Sequence, residues 1–326
     1  MRAAIGLTAR EGDARIPAMW SERVVLGTSK LGVDGREQAY ELLDEYVRLG
    51  GRTIDTASVY SDWIQGEPGR AETVIGEWLR LRGNRDGLTI VTKGAHPPLG
   101  RMEKGRCDEA SIRHDVELSL ERLGIERIDL WYLHRDDPRM PVAEIVGVLQ
   151  ELVREGKIAR FGASNWTLDR IEQALAVPGQ RFASSQVLGN VFCRIMNPLG
   201  DKTCVVADAA MFHHAAANGL SLFFYTATAH GLFERRAKGI RPTSDYANPA
   251  VKQAVGKLEA IAREVGVEPA PMSLAAMLQM GPAIHTVIGP RDAGQLRLIW
   301  KGGETVLQPA ILRRILATTA MSDFLA

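Results

Sequence analysis

The chain has 326 residues, 45% hydrophobic and 24% charged, with 40 Lys and Arg against 39 Asp and Glu and a formal net charge of +1. That balance leaves no basic stripe for nucleic acid and no polybasic face for a membrane, and no uncharged apolar run reaches the length of a span. Cys107, Cys193 and Cys204 lie far apart, with neither metal-ligand spacing nor a secreted disulfide pattern, which points to a reducing, cytoplasmic setting. Residues 1–20 are broken by Glu11 and Asp13, too polar for a signal peptide, and are expected to be a loosely ordered lead.

From residue 21 onward, short apolar runs alternate with helical patterns. RVVLGT, from Arg23, is the first candidate strand, and Arg36 to Gly50 follows as a helix stopped at Gly50 and Gly51. RTIDTA, from Arg52, ends on Asp55, with Tyr60 in the loop beyond, and LTIVTKG, from Leu88, carries Lys93 near its end. Glu109 to Leu123 sets Ile112, Val116, Leu120 and Leu123 on one helical face, before IDLWYLH from Ile128. Pro141 opens the next helix, ended by Gly156. The strands ARFGASN (Ala159), SSQVLGN (Ser184), LSLFFYT (Leu220) and AIHTVIG (Ala283) follow, separated by helical stretches at Leu168–Leu175, Val205–Ala217, Gln253–Val265 and Met272–Met280.

Near-continuous apolar strands are covered on both faces, as in parallel sheets. Eight of them alternating with helices predict an α/β fold, a single (β/α)8 TIM barrel over residues 21–326. A doubly wound sheet would announce itself with G-x-G-x-x-G after the first strand, where this chain has GTSKLG. The longest loop-like stretch, Arg235 to Pro249, follows strand seven and is expected at the rim of the site.

In such a barrel the C-terminal strand ends converge. They present Asp55, Lys93, His134, Ser164 with Asn165, Gln186, Tyr225 and Gly289. Singly, each has an ordinary structural reading: a turn aspartate, a snorkelling lysine, a core histidine. Together, Asp55 and Lys93 on neighbouring strands can pair, and the ammonium is expected to lower the pKa of the Tyr60 phenol and make it a proton donor. His134 can then hold the carbonyl that receives the proton.

These residues resemble the aldo-keto reductase family. DTASVY is similar to its D-T-A-x-x-Y motif, and GRAE to the G-x-x-E that follows, with a longer loop, SDWIQGEP, between them. IVTKG supplies the family lysine, RHDVELSLERLGIERIDLWYLH the second signature ending on the family histidine, GASNW the G-x-S-N segment, and SSQV the strand-six glutamine. FFYTA has Thr226 in place of the family serine.

The resemblance implies a barrel that binds NADPH, or NADH, without a Rossmann fold and interconverts a carbonyl and an alcohol. It implies a catalytic tetrad of Asp55, Tyr60, Lys93 and His134, with Tyr60 as general acid. Ser164, Asn165 and Gln186 would bond the nicotinamide carboxamide, Tyr225 would stack on the ring, and Thr226 would face the pyrophosphate. HTVIGPRDAGQL resembles the last cofactor segment and brings in Gly289, Arg291 and Gln295. Arg291 is the residue for a 2′-phosphate, which favours NADP over NAD. The family's Glu-Asn pair is replaced here by Leu298 and Ile299.

Trp63, His96, Arg135, Asp136 and Trp166 sit on rim loops and are expected to wall a pocket for a sugar or other small polar carbonyl. No metal is expected: His213 and His214 are adjacent, which sends the rings to different helix faces. The alternative is a cofactor-binding interaction module on the same fold with little turnover. The partners expected are a small carbonyl or alcohol, without nucleic acid or membrane, and the oligomeric state is left open.

Overall fold

The computed structural model describes residues 20–62 and 67–325. The expected lead over residues 1–20 therefore falls almost wholly outside the described residues, and so does Trp63.

Eight parallel strands close into a ring in sequence order. They are β1 (Val24–Gly27), β2 (Thr53–Asp55), β3 (Thr89–Gly94), β4 (Leu130–Leu133), β5 (Phe161–Ser164), β6 (Ser184–Leu188), β7 (Ser221–Tyr225) and β8 (Ile284–Ile288). The helices that cover them are α1 (Arg36–Arg48), α2 (Arg70–Arg82), α3 (Glu109–Leu123), α4 (Val142–Arg154), α5 (Leu168–Ala176), α6 (Ala209–Asn218), α7 (Leu232–Ala237), α8 (Pro249–Val265), α9 (Pro269–Gln279), α10 (Ala293–Glu304) and α11 (Pro309–Thr318). This is the (β/α)8 barrel that the strand pattern predicts. No helix among the described residues is long and apolar enough to cross a membrane.

Strand alternation is what builds the site. Side chains on a strand point to opposite faces in turn. Val25, Val91, Leu130, Tyr132, Phe223 and Val287 fill the lumen, while Val24, Leu26, Ile54 and Ile90 pack outward against α1, α2 and α10. Two residues beyond a lumen position, the same face is met again at the strand end. Val91 leads in this way to Lys93, Tyr132 to His134, Ser184 to Gln186 and Phe223 to Tyr225. The register steps them round the ring: Asp55 pairs with Val91, two residues before Lys93, Lys93 with Tyr132, two before His134, and Ser164 lies level with Gln186. Gly162 is needed within this layer, since a Cβ there would lie 2.2 Å from the Ser184 carbonyl oxygen and 2.7 Å from the Tyr132 ring.

Helix ends follow local chemistry. Asp108 caps α3 by accepting from the Ser111 N–H at 2.9 Å, and Asn248 with Pro249 opens α8. Helix α6 starts at Ala209, later than the pattern at Val205 predicts, because Val206 is held in a bridge to Leu188 and Asp208 then caps the helix. The stretch from Arg235 to Pro249 is only partly loop, since its first three residues finish α7. At the opposite end of the barrel, the Arg23 guanidinium donates to the carbonyls of Leu278, Gly281 and Ile284 at 3.0, 2.7 and 3.2 Å, tying the first strand to α9 and β8.

Candidate active site

Lys93 lies at the centre of the C-terminal mouth with no accessible surface. Its Nζ donates to Asp55 Oδ2 at 2.7 Å, to the Thr56 carbonyl at 2.8 Å and to Tyr60 Oη at 3.0 Å. It also lies 4.6 Å above the centre of the Tyr60 ring. Asp55 is held from its other side by Gln186, whose Nε2 donates to Oδ1 at 2.8 Å. The His134 ring stands edge-on to Tyr60 at 5.7 Å between centroids. The ends of β2, β3 and β4 and the loop after β2 thus bring one carboxylate, one ammonium, one imidazole and one phenol together, with the Gln186 amide added from β6.

The electrostatics correct one expectation. Burial pushes the Tyr60 phenol above its ordinary value, and the pull of Lys93, by charge and by hydrogen bond, does not overcome it. The lysine limits the rise and does not produce a net lowering. Lys93 itself is drawn down by burial, but Asp55 and Tyr60 outweigh this and hold the ammonium above its ordinary pKa. His134 is pushed well below the ordinary imidazole value by burial, with His96, Lys93 and Arg135 adding to the effect, so it is neutral. Its Nδ1 is buried without a partner among the described residues.

A second group of polar ends surrounds the first. Asn165 Oδ1 accepts from Tyr225 Oη at 2.7 Å and from the Val205 N–H at 3.1 Å, and its Nδ2 donates to Ser164 Oγ at 3.0 Å. The Gln186 N–H is committed to Asp55, which leaves the amide oxygen of Gln186 for a donor. A flat carboxamide, one acceptor and one NH2, finds donors on the Ser164–Asn165 side and an acceptor on the Gln186 side. The Tyr225 ring is fixed by its hydroxyl and half-buried, with a face available for stacking.

Backbone strain concentrates at this end. Ser61, Ala95, Asn165, Thr226, Ala229 and His230 have φ between 50° and 69°, and all follow β2, β3, β5 or β7. The Thr226 carbonyl is held by Asn190 Nδ2 at 3.2 Å. Nearby, α7 meets the start of α10. Glu234 accepts from Gln295 Nε2 and lies 3.9 Å from Arg291 Nη2, and Gln295 Oε1 accepts the Arg291 N–H at 2.7 Å. The Arg291 side chain is 62% exposed, and Gly289 opens onto free space. The donors and the open backbone fit an anionic nucleotide.

Of the five residues expected to wall a pocket, Trp63 lies outside the described residues. His96 does reach the site, with its ring 4.7 Å from that of His134. Arg135 donates to Thr203 Oγ1, to the His134 carbonyl and to Asp201, strapping the loop after β6 to the end of β4. The other two do not wall a pocket. Trp166 has no accessible surface and packs against Phe182 and Arg170, while Asp136 is taken up by a two-pronged pair with Arg170. For Trp166 the physical reason is Asn165, whose φ of 61° breaks the strand alternation and turns the next residue into the helical layer.

Four supports are absent from the strand-end reading. Asp115 accepts the Ala95 N–H at 2.7 Å and is gripped by Arg106, while Arg122 donates to the Ser58 carbonyl at 3.0 Å and pairs with the fully buried Glu72. Asp115 and Arg122 both lie on α3, and the available signal was an acid on the buried face between Ile112 and Val116. A broad groove of about 1020 Å3 at the N-terminal ends of β3 and β4 is lined by charges that pair with one another, such as Arg85 with Asp129, and lies away from these residues.

A family model described as the aldo/keto reductase family matches residues 23–317. The chain is 29% identical over 305 residues to the uncharacterized oxidoreductase YrpG of Bacillus subtilis (strain 168), covering 90% of each chain. It is 27% identical over 288 residues to an NADP(+) aryl-alcohol dehydrogenase of Phanerodontia chrysosporium, covering 82% of this chain and 72% of the relative. Among solved structures, a thermostable aldo-keto reductase in complex with the inhibitor epalrestat superposes with a TM-score of 0.70 at 23% identity, over 93% of this chain and 95% of that one.

Proposed function

As this chain belongs to the aldo/keto reductase family it is an NAD(P)-dependent oxidoreductase, and we propose that it interconverts a small polar aldehyde or ketone and its alcohol with Tyr60 as the proton donor. The bound nicotinamide supplies or takes the hydride. The observation that carries the reading is the Lys93 ammonium, bonded at once to Asp55 at 2.7 Å and to Tyr60 Oη at 3.0 Å.

In the reducing direction the carbonyl oxygen gains negative charge as its carbon is reduced. The Tyr60 O–H bond breaks, its proton goes to that oxygen, and the alcohol forms. The phenolate left behind is stabilised by the ammonium 3.0 Å away and regains a proton from solvent. His134, neutral, has one ring proton. With Nδ1 buried and unpartnered, that proton serves best on Nε2, where it can hold the substrate oxygen in line with Tyr60. Asp55 keeps the ammonium charged and Gln186 keeps Asp55 oriented.

Ser164, Asn165 and Gln186 are proposed to hold the carboxamide, Tyr225 to stack on the ring, and Thr226, Gly289, Arg291 and Gln295 to take the phosphate end. The exposed Arg291 guanidinium favours a 2′-phosphate, hence NADP, as in the name of the fungal relative. The free cysteines, two of them buried, accord with a reducing cytoplasm.

The test is Tyr60→Phe, followed by NADPH absorbance with a panel of aldehydes. Turnover should fall about a hundredfold or more with NADPH binding retained. Unchanged turnover would remove the proton-donor role. Tight NADPH binding without turnover of any carbonyl by the wild type would favour an interaction module.

A further inference from the structure

The loop after β3 holds one side chain more firmly than a pocket wall requires. Ala95 adopts φ 57°, and its N–H donates to Asp115 Oδ2 at 2.7 Å. One residue on, the His96 carbonyl accepts from Arg106 Nη1 at 3.2 Å, while the same guanidinium grips Asp115 at 2.8 and 3.0 Å. The backbone is thus pinned on both sides of the His96 ring.

The ring is fixed as well. Its Nδ1 lies 2.6 Å from the Pro97 carbonyl oxygen. A carbonyl only accepts, so Nδ1 is the nitrogen that carries the proton. Turning the ring over would set a carbon at that 2.6 Å contact, which excludes the alternative. Burial, helped by the Arg135 cation, keeps the imidazole below its ordinary pKa, so it holds no second proton. Nε2 is therefore a bare lone pair, and nothing among the described residues donates to it. The His96 and His134 rings stand 4.7 Å apart with 66° between their planes.

A donor and an acceptor thus lie side by side. His134 offers an N–H to the reacting carbonyl oxygen and His96 offers a lone pair beside it. The ligand that matches both carries a carbonyl with a hydroxyl on the adjacent carbon. Resting on the function proposed above, we propose that His96 Nε2 accepts a hydrogen bond from a substrate hydroxyl next to the carbonyl, so that 2-hydroxy aldehydes and ketones, and vicinal diols in the reverse direction, are the preferred substrates. His96 acts on specificity, not on the proton transfer. A substrate without the hydroxyl covers the lone pair and leaves it unmatched, which is the form of discrimination a polar pocket does best.

The experiment compares glyceraldehyde with propanal, using NADPH, for wild type, His96→Phe and His96→Gln. Each variant is read against wild type on the same substrate, so aldehyde hydration cancels. Phe keeps a ring of similar size without an acceptor, while the Gln amide oxygen reaches about where Nε2 stands. His96→Phe should cut kcat/KM for glyceraldehyde at least about tenfold more than for propanal, mainly through KM, and His96→Gln should regain part of that difference. Equal losses on both aldehydes, or no difference in either variant, overturn the inference while the redox function stands. If the wild type binds NADPH by fluorescence quenching yet reduces neither aldehyde, the proposed function itself fails and this inference with it.

Discussion

Lys93 holds its charge with no accessible surface because three oxygens replace its water. An ion pair this deep is costly to break from one side, since the remaining charge keeps its desolvation penalty without its partner. Lys93→Met would leave the Asp55 carboxylate facing only Gln186, and a loss of roughly 3–5 kcal/mol is expected, read from urea unfolding midpoints. Adding Asp55→Asn removes the stranded charge and should restore much of that stability. Turnover should stay low in both, because Tyr60 has lost the charge and hydrogen bond of Lys93, which hold its pKa down against burial more than the Arg135 cation does. A double variant no more stable than Lys93→Met would show that the pair does not bear on folding as described.

Helix α3 supports the mouth of the barrel from outside. From one helix, Asp115 fixes the loop that bears His96, and Arg122 fixes the Ser58 carbonyl in the loop that bears Tyr60. Its first turn rests on the Asp108 cap. Asp108→Ala should cost about 1 kcal/mol, seen as a lower urea midpoint with an unchanged slope. The elements were readable because eight apolar runs kept their period, and the clustering of Asp55, Tyr60, Lys93 and His134 because they fall at the ends of β2, β3 and β4 or just beyond. Trp166 was misread because nothing in the letters GASNW reveals that Asn165 turns left-handed. The direction of the Tyr60 shift was misread because the weight of desolvation depends on the packing above the ring. Leu312, Ile315 and Leu316 of α11 form a buried face, and Pro309 was an available start signal for that helix.

Across the whole molecule, the lower barrel carries a pH-sensitive element apart from the chemistry. His285 stacks on Phe223 with 4.4 Å between ring centres and 3° between planes. Burial lowers its pKa to about 4, with Arg23 and Arg160 adding to the effect against a carbonyl contact to Ala283 that raises it. The folded state thus favours the neutral ring. This contribution is complete above the unfolded value near 6.5 and is lost as pH falls from there towards 4, amounting to at most about 3 kcal/mol. His285→Gln should flatten the stability profile between pH 6.5 and 4, and a profile as steep as wild type in urea midpoints would count against it. His134, also depressed, contributes in the same direction.

The ring of strands has a temporal side. Because β1 is completed only by β8, pairing through Val24–Thr286, Val25–Val287 and Leu26–Ile288, a growing chain keeps two ladder edges unsatisfied until residue 288 of 326 has been made. During translation nearly the whole polypeptide waits with bare backbone donors and acceptors, a state prone to mispairing with its neighbours. The architecture that leaves the mature protein without a sticky border therefore makes its synthesis the vulnerable interval, and places the demand for chaperone protection there.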